Sequence, residues 1–113
     1  MAPGEIHLAN FPFGAGSGMK IRPVLLLTGP VGNVPEVLVA YISSVVPPLA
    51  MPTDIVLDPA TPDHATTNLK AISVVRLHKL ATIHQRSVIR LLGKIAPATQ
   101  TDVADKLRAF LGL

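Results

Sequence analysis

The chain has 113 residues, nearly half of them apolar and only 15% charged, with ten bases against seven acids for a net charge of +3. That length holds one domain with one core, the lack of cysteine excludes disulfides and thiolate metal sites, and the amino-terminal residues lack the pattern of a secretory signal. A mean hydropathy of +0.46 with so few charges predicts apolar surface covered by a partner or a second copy.

Ten of the eleven prolines fall within the first 62 residues. They separate short apolar runs, the pattern of a small barrel or sandwich. Strands are predicted at Glu5–Phe11, Arg22–Thr28, Val37–Ser43, Asp54–Leu57, Ser73–His78 and Val88–Ile95. Between the first two, the glycine-rich "FPFGAGSGMK" is expected to be a mobile loop. In the second strand, Arg22 precedes Pro23 and the run Val24–Leu27, which reads as buried on both faces. Proline suits the first position of a strand, and it pushes the residue before it into extended geometry. Arg22 is therefore a permanent cation at the mouth of a buried strand, although this stretch alone favours a solvated strand-end arginine, which most arginines are.

The third strand, "VLVAYI", closes on Ser43 and Ser44. A hydroxyl there is aimed with little freedom, as catalysis needs, or it satisfies backbone groups at the strand end. The longest apolar region, Val37 to Met51, is broken by these serines and by Pro47 and Pro48, so no membrane span is expected. In the tail, Val103, Leu107, Phe110 and Leu111 recur at helical spacing, and Asp102 follows Thr99 by three as in a capping box. A carboxy-terminal helix with its apolar side on the sheet is predicted.

Motifs for other chemistry are lacking. His7, His64, His78 and His84 show no metal-ligand spacing, although a two-histidine ribonuclease arrangement stays open. Gly14, Gly16 and Gly18 do not form a phosphate cradle, and no nucleophile elbow surrounds the serines. Charge is the strongest remaining signal. No acid lies between His64 and Thr101, an interval holding Lys70, Arg76, Lys79, Arg86, Arg90 and Lys94. Such a segment suits an anionic partner, nucleic acid or an acidic peptide, or is simply a solvated face.

Four segments in order, "GEIHLANFPF", "KIRPVLLL", "VLVAYISS" and "SVVRLHKLATI", together resemble the MazF/PemK toxins, the ribonuclease half of bacterial toxin–antitoxin pairs. The resemblance covers nearly the whole chain. It implies one toxin domain over residues 1–113, mainly β with added helices (α+β): a small SH3-like barrel with a carboxy-terminal helix. It further implies a cytoplasmic homodimer cleaving single-stranded RNA without metal or other cofactor, and an acidic antitoxin with which it binds DNA. By the same resemblance Arg22 is catalytic, and Ser43 stands where the family most often has threonine. Lys20, Ser44 and Lys79 fall at RNA-binding positions. The sequence identifies no general base, and His78 is one candidate for that task. Two competing readings are a non-catalytic binding module with this barrel and a gyrase-inhibiting toxin.

Overall fold

The computed structural model describes residues 1–12 and 18–113, with the side chain of Met19 left aside. Six strands run in chain order: β1 (Glu5–Pro12), β2 (Met19–Leu26), β3 (Glu36–Ser43), β4 (Asp54–Leu57), β5 (Ser73–His84) and β6 (Val88–Lys94). Short 3₁₀ turns at Pro62–Thr67 and Gln85–Ser87 flank β5, and the helix α1 (Pro97–Leu111) ends the fold. The strands form one antiparallel sheet in the order β4-β5-β3-β2-β1-β6. The α+β class, mainly β with a carboxy-terminal helix, is the one expected. The expected glycine loop falls mostly on residues 13–17, outside the described ones.

Both faces of the central strands are buried. Leu25, Ala40 and Ile42 join Ile6, Leu57, Leu77 and Val103 in one apolar cluster, while Val24, Leu26, Val37 and Val39 join Ala9, Phe11 and Ile83 in another. The alternation follows from the period of two along a strand. The reading of Val24–Leu27 as doubly buried holds for the first three residues, and Leu27, just past β2, is half-buried. α1 packs on β5 and supplies Val103 to the first cluster. With a single long helix in the fold, sheet curvature has to cover the second.

That curvature comes from bulges. In the β3–β5 ladder Ala40 faces Leu80 but Tyr41 faces Arg76, so Leu77, His78 and Lys79 bow out as extra residues. β5 then runs on to His84, six residues past the predicted end at His78. The exposed Lys79 breaks the apolar alternation at the bulge and so reads as a strand terminus in the sequence.

The helix also differs from expectation. It begins at Pro97, with Ala96 as a cap lacking a side-chain bond, so Thr99 and Asp102 lie inside the first turns and form no capping box. Proline at the first helical position lacks only an N–H that would have been unpaired there. Phe110 and Leu111 are half exposed, so only the Val103 side of the helix is seated on the sheet.

Candidate functional site

The β2–β3 ladder pairs Leu26 with Val39, Leu25 with Ala40 and Val24 with Tyr41, and stops there. The cause is Pro23. The Leu27 N–H donates to the Leu38 carbonyl (2.9 Å), so the alternate residues Leu25 and Pro23 also turn their backbone toward β3. Pro23 has no N–H to give. Continuing the register past the break sets Arg22 opposite Ser43. Arg22 shares a face with Val24 and Leu26, and Ser43 shares that face with Tyr41 and Val39.

A cleft of about 530 Å³ opens where the two strands part. Arg22, Ser43 and Ser44 line it, with Tyr41, Asn68, Lys70 and Arg90, over an apolar floor that includes Pro23, Leu8 and Leu69. No carboxylate is among its lining residues. Arg22 is exposed, and its Nη1 donates to the carbonyl of Ile21 (3.0 Å), which bends the guanidinium back along its own strand. Ser43 is buried, and its Oγ accepts the Val45 N–H at 3.0 Å. The same hydroxyl donates to the Val45 carbonyl over a longer 3.4 Å, so it closes the strand end as one reading of the sequence has it, and a better acceptor in the cleft would have to displace that long bond.

The structure therefore brings together Arg22, Ser43 and Ser44. Lys79 does not line the cleft. It stands over the ring of Tyr41, 5.6 Å from the centroid, and Tyr41 in turn leans on Phe11 with ring centroids 5.1 Å apart. Lys20 pairs across β1 with Phe11 and shares the face of Arg22, outside the lining residues. His78 is elsewhere, its Nδ1 hydrogen-bonded to Thr53 Oγ1 at 2.8 Å. Burial, with the Arg76 charge second, holds its imidazole below the ordinary histidine range.

The basic interval is split by the fold. Arg76 binds the buried carboxylate of Asp54 through Nε (3.0 Å), Arg86 and Lys94 border other hollows, and only Lys70 and Arg90 reach the cleft. The sequence names these two only as members of a charged run, because the segment after the first 3₁₀ turn and the far strand β6 carry them in. Among the described residues no group of three or more His, Cys, Asp or Glu is placed to hold a metal ion. No helix of the described residues is long and apolar enough to cross a membrane.

The model of one family, described as PemK-like, MazF-like toxin of type II toxin–antitoxin system, matches residues 2–111. The chain belongs to this toxin family. Among solved structures, this MazF-like chain is similar to the Mycobacterium tuberculosis toxin MazF-mt6 at 27% identity, covering 96% of this chain and 97% of that one with a TM-score of 0.74. It shares the fold of MazF from Deinococcus radiodurans at 20% identity, 100% and 97% coverage and a TM-score of 0.73. It also shares that of an endoribonuclease in complex with its cognate antitoxin from a mycobacterial species, at 18% identity, 100% and 96% coverage and a TM-score of 0.69. No curated protein matches the MazF-like sequence.

Proposed function

We propose that this MazF-like chain is one toxin domain that cleaves single-stranded RNA endonucleolytically, without a metal, by attack of the adjacent 2′-hydroxyl. The observation that carries the reading is a permanent cation and a hydrogen-bonded hydroxyl, Arg22 and Ser43, bordering one cleft lined by no carboxylate. The 2′-oxygen bonds to phosphorus and the bond to the 5′-oxygen breaks. Solvent takes the 2′ proton and returns one to the leaving oxygen, giving a 2′,3′-cyclic phosphate and a 5′-hydroxyl. Negative charge builds on the non-bridging oxygens in between. The planar fork of Arg22 stabilises it, staying protonated throughout. The Ser43 hydroxyl donates to the same oxygens or orients the 2′-OH, while Lys20, Ser44 and Lys79 hold the strand on either side.

The test is cleavage of single-stranded RNA in EDTA, with DNA of the same sequence left intact because it lacks the nucleophile. Intact RNA, with supercoiling by gyrase inhibited instead, would replace this reading with that of a gyrase toxin. Within the ribonuclease reading, Ser43→Ala is expected to lower turnover, Ser43→Thr to keep or raise it, and Ser44→Ala to do less harm. If Ser44→Ala is the worse lesion, the two serines exchange roles, since neighbours on a strand point to opposite faces.

The partners follow the same reading. An acidic, extended antitoxin segment would neutralise the cations of this cleft and compete with RNA for it. The toxin itself is a homodimer, which would cover exposed apolar side chains such as Val31, Val34 and Ile21. Light scattering should therefore give twice the chain mass of 11.9 kDa at micromolar concentration. A mass equal to one chain would rule the dimer out.

A further inference from the structure

We infer that Lys70 and Arg90 form a second phosphate-binding subsite on the far wall of this cleft, which grips the RNA strand next to the phosphate held by Arg22. The inference rests on the endoribonuclease reading above for its ligand and on separate geometry for its place.

Arg90, Leu8 and Pro23 stand in one row across β6, β1 and β2. Two strand spacings, about 10 Å, separate the backbone of Arg90 from that of Pro23. Arg22, one residue along, belongs to the other face of the sheet, and the two guanidinium groups meet at one cleft only because it opens at the gap where β2 and β3 part. Arg90 also sits in a two-residue stretch of regular pairing between irregularities. On β1, Ile6 faces Gly93 and His7 faces Leu91, which skips Leu92, while Leu8 faces Arg90 and Ala9 faces Val88, which skips Ile89. Two bulges bracket the paired residues Arg90 and Leu91. Bulges of this kind re-aim a side chain and are common beside functional sites.

The segment carrying Lys70 is fastened to the same bulge. Asn68 is the only described residue other than glycine with positive φ (54°), and its Nδ2 donates to the carbonyl of Leu92 at 2.8 Å. Thr66 Oγ1 donates to the carbonyl of Lys94 at 2.9 Å. Gly93 between them lets the two backbones touch, since a Cβ there would lie 2.3 Å from the Thr66 carbonyl oxygen. The fold thus clamps the Lys70 segment onto the strand that presents Arg90.

Charge gives the arrangement its meaning. Arg22, Lys70 and Arg90 have no ion pair among the described residues, and the acids that do pair, Asp54, Asp105 and Glu5, do so elsewhere. Three unopposed cations around one hollow repel each other, and an anion removes that cost. Two separated groups of charge over an apolar floor match two successive phosphates with a base between them, not a lone small anion.

The experiment measures binding of single-stranded DNA, which presents the same kind of phosphate and is not cleaved, against salt concentration. Arg90→Ala and Lys70→Ala should each weaken binding about tenfold at low salt and reduce the slope of log affinity against log salt by about one. Arg90→Lys should restore most of the slope. In RNA cleavage, Arg90→Ala should raise KM by a similar factor with kcat within a few-fold of wild type. An unchanged salt slope in both alanine variants, or a wild type that binds no single-stranded DNA at low salt, overturns the subsite. So does a collapse of kcat at constant KM for Arg90→Ala, which would make Arg90 part of the reaction itself. Intact RNA with wild-type protein removes the endoribonuclease reading but leaves the DNA slopes to decide the subsite.

Discussion

Arg22→Ala is expected to reduce RNA cleavage by about 100-fold or more, the usual cost of losing a donor preorganised for transition-state charge. The fold should survive. Arg22 is exposed, and its one hydrogen bond, to the carbonyl of the preceding residue, is local. The burial of Val24, Leu25 and Leu26 does not depend on it. Circular dichroism and thermal melting should therefore match wild type while turnover of a labelled RNA is lost. Arg22→Lys should recover little, because an ammonium keeps the charge but loses the planar fork that meets two phosphate oxygens together. Wild-type-like turnover in the alanine variant would remove Arg22 from the reaction.

The largest effect on stability is expected at the opposite edge of the sheet, for Arg76→Met. Asp54 has no exposed side-chain area, and its Oδ1 accepts from Arg76 Nε at 3.0 Å while its Oδ2 accepts the Met51 N–H at 2.9 Å. Removing the arginine leaves a carboxylate buried with a single backbone donor. Breaking one side of a buried pair costs about 3–5 kcal/mol. Arg76 is 18% exposed, so some water reaches the pair. The lower end of that range, about 3 kcal/mol, is the expected loss, and it corresponds to a drop of roughly 10–15 °C in Tm for a domain of this size. Adding Asp54→Asn should recover most of that, since asparagine keeps an acceptor for Met51 and sheds the charge. A loss below about 1 kcal/mol in the single variant would show the pair to be as weak as a surface one.

The contrast between these two arginines marks what the sequence reveals. Arg22 is legible because its neighbours constrain it. A proline and a doubly buried run follow it, and the resemblance places both at a known position. Arg76 looks the same in the sequence as the other bases of its interval. Only the β4–β5 register, which sets Asp54 opposite it, shows its charge to be neutralised inside the fold. Strand existence is likewise readable from local alternation, whereas the full length of β5 is not, because a bulge resets the alternation at Leu77–Lys79. The helix starts earlier than Thr99 suggests because Pro97 initiates it without a side-chain cap. Arg22 and Ser43 are legible as members of one site. Lys70, Asn68 and Arg90 complete the cleft through contacts spanning more than twenty residues, which no local pattern encodes.

The missing N–H of Pro23 divides β2 into two lengths of unequal stiffness. Val24–Leu26 is laddered to strands on both sides, so moving it means breaking two sets of bonds and opening both apolar clusters. Met19–Arg22 is laddered to β1 alone. The stretch bearing the cation can therefore flex by its own local free energy, well below that of global unfolding. An anchored half keeps the cleft's address in the fold, and under the proposed ribonuclease reading a compliant half would let Arg22 follow a phosphate whose charge and geometry change as it reacts. One imino acid separates the two.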